Sequence, residues 1–237
     1  KEAADMVLTD DNFATIVAAV EEGRGIFDNL VKFIVWTLPT NFGEGLVITA
    51  AVLLGTALPI LPVQILWINM TTAVLLGLML AFEPIEKDVM NRPPRPPHSP
   101  LLTPALLRRM ALVSLLLLVG AFGLFTWETH HGASLPHART VAANMFVMGE
   151  TFYLFNCRSL TRSMFAQGVF SNRWVTGGVA LMLALQLVFT YHPAMNAWFG
   201  TAPLNGADWL GIVAAGVLIH ALVGVEKWFS ARSRHAD

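Results

Sequence analysis

Asn41 and Glu44 stand near the middle of an apolar run from about Val31 to Leu54. At ~20 residues per crossing, that run is long enough to span a bilayer as a helix. A carboxylate at the centre of such a helix costs about 2.5–3.5 kcal/mol even on insertion scales, so an acid kept there is a functional group by default. The three-residue spacing predicts that Asn41 and Glu44 share one helix face. A second apolar run carries Asn69 and Thr72 at the same spacing, and a fourth carries Glu150. All five fall near the centres of their runs, which brings oxygen-bearing side chains from three segments to one membrane depth. Carboxylate, amide and hydroxyl oxygens are the ligands of hard cations such as Ca²⁺, Mg²⁺, Na⁺ and K⁺. No cysteine or histidine cluster lies at that depth, which argues against a soft transition metal.

Other residues near this level have blander readings. Pro39 removes a backbone donor and frees a carbonyl one turn earlier; in a membrane the freed group needs a partner or a polar cavity. Asn69 and Thr72 can also serve as interhelical hydrogen-bonding groups, at ~0.6 kcal/mol each. Glu150 has a candidate arginine in Arg158, two turns further along. Tyr153 and Gln186 complete the site or pack beside it, and packing is the simpler reading. His130, His131 and His137 cluster in one connection, as zinc ligands or, more simply, as a solvated loop. His220 reads as a packed, hydrogen-bonded side chain. Trp36, Trp127, Trp174, Trp209 and Trp228 read mostly as interfacial anchors near helix ends.

The elements that must position these groups follow from composition. Of 237 residues, 55% are hydrophobic and 13% charged, against about 25% charged in soluble domains. The fold class expected is an all-α polytopic membrane protein, a bundle of six transmembrane helices near 31–54, 60–82, 105–127, 140–160, 174–192 and 208–229. Residues 1–30 form a short cytosolic piece with its stalk, 31–230 the membrane domain and 231–237 a cytosolic tail. In the first piece Met6-Val7-Leu8 can end a strand, and Asp10-Asp11-Asn12 offers a cap for a helix carrying Phe13, Ile16, Val17 and Val20. Gly23 and Gly25 are expected to interrupt that helix before a second one enters the membrane from Ile26.

Lysine and arginine alternate sharply between connections. Lys1, Arg24 and Lys32; Lys87, Arg92, Arg95, Arg108 and Arg109; Arg158, Arg162 and Arg173; and Lys227, Arg232 and Arg234 all fall on one side, and only Arg139 on the other. The positive-inside rule makes the first side cytoplasmic, with both chain ends on it. Asn91-Arg92-Pro93-Pro94-Arg95-Pro96-Pro97 reads as a stiff extended spacer. The net charge of −1 and the lack of a basic block point away from nucleic acid, and the single Cys157 excludes an intrachain disulfide framework.

At this point the residues match a known family. Asp5-Met6-Val7-Leu8-Thr9-Asp10-Asp11-Asn12-Phe13 followed by Glu21-Glu22-Gly23-Arg24 resembles the segment leaving the phosphorylation domain of P-type cation-transporting ATPases. Asn41-Phe42-Gly43-Glu44, then Pro62-Val63-Gln64-Ile65-Leu66-Trp67-Ile68-Asn69, then Met90-Asn91-Arg92-Pro93-Pro94-Arg95, resembles the calcium-pump branch. The resemblance implies the end of the phosphorylation domain plus the last six of ten pump helices. It implies cation binding by Asn41, Glu44, Asn69, Thr72 and Glu150, the last supported by Asn156. The calcium pumps follow the matching threonine with an aspartate, and this chain has Ala73. One divalent ion, a monovalent ion and a proton-coupled variant therefore all stay open.

The family's Asp-Lys-Thr-Gly-Thr and Thr-Gly-Asp-Gly-Val-Asn-Asp motifs are not in the chain, so it is expected to be inactive on its own. ATP and Mg²⁺ are then bound by other parts of the same pump. The partners implied are the bilayer and the actuator, nucleotide-binding and phosphorylation domains, and the setting a prokaryotic plasma membrane. The rival function is a six-helix channel or secondary transporter independent of ATP; inverted repeats would favour the latter, and none is visible. A membrane anchor or assembly platform is a third reading, and the mid-membrane carboxylates argue against it.

Overall fold

Asn12 starts the longest element: its side chain accepts a hydrogen bond from the Ala14 amide at 3.0 Å, and helix α1 then runs from Phe13 to Leu54. The computed structural model describes residues 2–4, 7–9, 12–86, 88–96, 101–160, 168 and 170–233. Met6, Asp10, Asp11, Lys87, Pro97, Arg162 and the last four residues of the expected tail lie outside that set. No strand occurs among the described residues.

Gly23 and Gly25 do not break α1, contrary to expectation: the 42 residues form one helix. Isolated glycines cost a helix only about 1 kcal/mol each. Gly25 has a packing reason, since a β-carbon there would come within 2.6 Å of Ile85 Cγ1. The helix stops at Gly55, whose left-handed φ of 62° lets its N–H bond back to the Ala51 and Val52 carbonyls.

Helix α2 covers Pro62–Thr72, with the Leu61 amide donating to Gln64 Oε1 at 3.0 Å. The chain then widens into a π-helical turn over Ala73–Gly77 and tightens to a 3₁₀ segment over Leu78–Phe82. Such irregular turns inside a helix recur at functional sites. Helix α3 spans Pro104–His130, α4 Leu135–Cys157, α5 Arg173–Tyr191, the short α6 Pro193–Phe199 and α7 Gly206–Ser233. Thr103, Ser134 and Asn172 cap α3, α4 and α5.

Among the described residues there are thus six long helical segments, matching the expected runs to within a few residues outside the extended start of α1. Five of them are long and apolar enough to cross a membrane. The sixth, α4, is the most polar and lies largely against other helices. It packs most extensively on α7 and α3, and 16 of its 23 residues are buried. An interior helix can carry polar groups as long as its neighbours satisfy them.

Small residues permit the close approaches expected where packing rather than water drives helix association. Gly178 of α5 lies against the Leu75 carbonyl in the π-helical turn, with no room for a methyl group. Gly43 of α1 leaves only contact space to Leu117 and Phe146.

The end of the bundle that holds both chain ends is tied by charge. Arg158, after α4, donates to Glu83 Oε1 at 2.6 Å, and both side chains are buried. Asn172 Nδ2 adds a bond to the same oxygen at 3.1 Å. The proline-rich connection is not a free spacer: Arg92 pairs with Asp28 at 2.7 Å and Glu86 at 2.6 Å, and Arg95 lies over the Phe27 ring of α1. Partial burial opposes the Arg92 charge, but bonds to Asp88 and Asp28 hold its guanidinium protonated above the ordinary arginine range.

Candidate cation site

Pro39 sets the local geometry. Lacking an N–H, it cannot bond to the Val35 carbonyl one turn back. The Tyr153 hydroxyl of α4 supplies the missing donor at 2.9 Å, and both residues are buried. Ser114 of α3 donates to the Pro39 carbonyl at 2.8 Å. The Trp36 indole donates to the backbone carbonyl of Glu150 at 3.1 Å, which registers α1 against α4 at the level of the carboxylate. Trp36 is therefore a buried cross-link and not an interfacial anchor, while Trp127, Trp174 and Trp228 are half or more exposed.

Within this frame α1, α2 and α4 meet. Asn69 Nδ2 of α2 donates to Glu44 Oε2 of α1 at 2.5 Å. Glu150 of α4 lies near the Thr72 and Thr40 side chains and near Glu44, while the Thr40 hydroxyl donates to the Thr37 carbonyl at 2.9 Å. Glu44, Glu150, Thr72 and Thr40 are all buried, and Asn69 is partly so. Among the described residues four buried side-chain polar atoms have no hydrogen-bond partner: Thr37 Oγ1, Glu44 Oε1, Glu150 Oε2 and Gln186 Nε2. Two of the four are one oxygen from each mid-bundle carboxylate.

Native interiors leave few such atoms, and each needs an account. Two carboxylates cannot both stay bare and charged in a low-dielectric interior; a cation, or protons, must balance them. The donor set is entirely oxygen, which suits a hard cation.

The expected residues are not all together. Glu44, Asn69, Thr72 and Glu150 converge, whereas Asn41 is exposed. A three-residue step leaves side chains about 60° apart on a helix, enough at a narrow seam to turn one inward and the other outward. Thr40 was missed. Its signal was its place four residues before Glu44, directly on the same stripe. Ala73 is half-buried and opens the π-helical turn.

The Asn156 amide lies 2.8 Å from His220 Nδ1 and 3.2 Å from the His220 carbonyl, bonding α4 to α7. His220 is thus the packed, hydrogen-bonded residue expected. Gln186 Oε1 accepts from the Trp67 indole at 3.3 Å, which places Gln186 beside α2 as a packing residue. Arg158 is taken by Glu83 and does not neutralise Glu150.

The comparisons with known proteins agree with this architecture. Residues 57–229 match the family described as "Cation transporting ATPase, C-terminus". The chain is 61% identical over 226 residues to "Probable cation-transporting ATPase F" of Mycobacterium tuberculosis, covering 95% of this chain and 25% of that protein. It is 41% identical over 215 residues to "Cation-transporting ATPase pma1" of Synechocystis sp., covering 88% and 24%. It is 37% identical over 214 residues to a "Calcium-transporting ATPase" of Bacillus subtilis, covering 90% and 24%. The chain spans about a quarter of the length of these relatives. With its multi-pass helical bundle, it belongs to the cation-transporting P-type ATPases and corresponds to their C-terminal membrane part.

Proposed function

We propose that this chain is the transport portion of an ATP-driven pump and that Glu44, Asn69, Thr72 and Glu150, with Thr40, bind the transported cation at mid-membrane. The observation that carries the reading is the pair of buried, partnerless oxygens on Glu44 and Glu150. Ca²⁺ is the first candidate cargo, since relatives in Bacillus subtilis and Yarrowia lipolytica are named calcium-transporting ATPases; another hard cation fits the same oxygens. Asn41 enters the binding set only if α1 rotates, because here it faces outward. Ala73 offers no side-chain oxygen, so the set suits one divalent ion rather than two.

In this reading ATP and Mg²⁺ are held by the actuator, nucleotide-binding and phosphorylation domains of the complete protein, and this part alone hydrolyses nothing. Phosphorylation there moves α1, which spreads the oxygens and lowers affinity as the site turns outward. Glu44 and Glu150 take up protons when the cation leaves, which gives proton countertransport. Both chain ends are cytoplasmic, and the membrane is a prokaryotic plasma membrane.

The test is ATP-dependent phosphoenzyme formation by the complete protein, scanned over Ca²⁺, Mg²⁺, Mn²⁺, Na⁺, K⁺ and pH. One cation should drive phosphorylation. A folded protein that forms no phosphoenzyme under any condition, or forms it without regard to cation, overturns the proposal.

A further inference from the structure

At the opposite end of the bundle from the chain ends, three helix termini converge on a second group of ligating atoms. Glu128 comes from the last turn of α3, His137 from the first turn of α4 and Asp208 from the first turn of α7. One ligand atom from each lies within 4.8 Å of the others. His137 Nε2 is 3.2 Å from Asp208 Oδ2 and 3.8 Å from Glu128 Oε2. Two ligands bound to one ion at about 2.0–2.2 Å in tetrahedral geometry stand about 3.4 Å apart, so these separations bracket what a single ion needs.

Asp208 is oriented before any ion arrives, and the backbone that carries His137 is capped. Asp208 Oδ2 accepts the Asn205 amide at 2.7 Å, and the Ser134 hydroxyl accepts the His137 amide at 3.4 Å. The side chains are 17%, 20% and 5% exposed for Glu128, His137 and Asp208, sheltered yet open to an ion from solution. Two carboxylates face one imidazole. Among the described residues neither carboxylate forms an ion pair with a lysine or arginine, and the nearby Arg139 donates instead to the Leu58 carbonyl. His131 takes no part: its ring lies on Trp127 and its Nδ1 on the Trp127 carbonyl.

We propose that Glu128, His137 and Asp208 form a binding site for a divalent transition ion, with Zn²⁺ as its type, at the end of the bundle remote from the chain ends. An imidazole with two carboxylates selects this class over Ca²⁺ or Mg²⁺, which take oxygen ligands almost alone. Water completes the coordination. The site is separate from the mid-bundle oxygens: His137 and Glu150 are 13 residues apart on α4, about 20 Å along the axis. Its bound ion joins the α3–α4 corner to the start of α7, which stabilises that face. The positive-residue distribution makes it the outer face.

The experiment uses the complete pump, stripped of metal and purified without a histidine tag. Zn²⁺ binding is measured by equilibrium dialysis and by the shift of the melting temperature. Wild type should hold one Zn²⁺ more than His137→Ala, and Glu128→Gln should weaken that binding at least tenfold. Zn²⁺ should raise the melting temperature of wild type and leave that of His137→Ala unmoved. Zn²⁺ uptake equal in all variants, or absent from wild type, overturns the proposal. If His137→Ala fails to fold, Glu128→Gln decides alone, and unchanged binding in it has the same meaning.

Discussion

The Tyr153 hydroxyl bonds to the Val35 carbonyl, the one carbonyl of α1 that Pro39 deprives of its helical donor. An irregularity on one helix is thereby completed by a side chain on another, one turn before the carboxylate that both helices surround. Removing the hydroxyl with Tyr153→Phe leaves a buried carbonyl unpaired, at a cost of about 1–3 kcal/mol. The expected result is a melting temperature several degrees lower for the complete protein in detergent, together with weaker cation affinity. An unchanged melting temperature would show that the freed carbonyl finds another donor.

Glu44→Gln and Glu150→Gln should each weaken cation-dependent phosphorylation by at least tenfold, because each removes one charge of the balancing pair. Their effects should not add. The two carboxylates interact, and neighbours in one site couple where distant residues do not. A double variant measured beside both single variants checks this, and strict additivity would separate the two residues functionally.

Ala73→Asp would return a carboxylate to the start of the π-helical turn. On the proposed reading it raises the number of Ca²⁺ ions bound per phosphoenzyme from one toward two. Radiolabelled Ca²⁺ binding measured against phosphoenzyme content gives the number directly, and an unchanged ratio would mean that residue 73 faces away from the ion.

The Arg158–Glu83 pair gives a prediction about stability alone. Truncating one partner, as in Arg158→Met, strands a buried charge, and broken buried pairs cost about 3–5 kcal/mol. Replacing both, with Glu83→Met as well, should recover much of that loss. Thermal unfolding of the three variants tests the order; a double variant worse than the single one would contradict it.

How much of this was legible in the sequence depended on how strongly each signal was local. Helix positions followed from apolar runs, and the family followed from short ordered motifs. The capping role of Asn12 was legible too, since short polar side chains before a helical pattern satisfy its free amides. The continuity of α1 was not: Gly23 and Gly25 read as breaks, and the packing partner of Gly25, Ile85, lies sixty residues away. The outward turn of Asn41 and the inward turn of Thr40 depend on how α1 is rotated against α2 and α4, which spacing along one helix does not set. Trp36 read as an anchor because tryptophan usually is one, and its partner, the Glu150 carbonyl, is a backbone atom with no sequence signal. The pairing of His137 with Glu128 and Asp208 joins three helix ends and is invisible to any single segment.

The unbroken α1 has a mechanical consequence. At 1.5 Å per residue, the 31 steps from Phe13 to Glu44 make a rod about 47 Å long. Along that length it is held at Phe27 and Asp28 by Arg95 and Arg92, and its backbone ladder lacks one rung, at Pro39. There the bonds from Tyr153 and Ser114 clamp the helix to α4 and α3. On the proposed function, a small rotation at that point would displace Glu44 against Asn69 and Glu150.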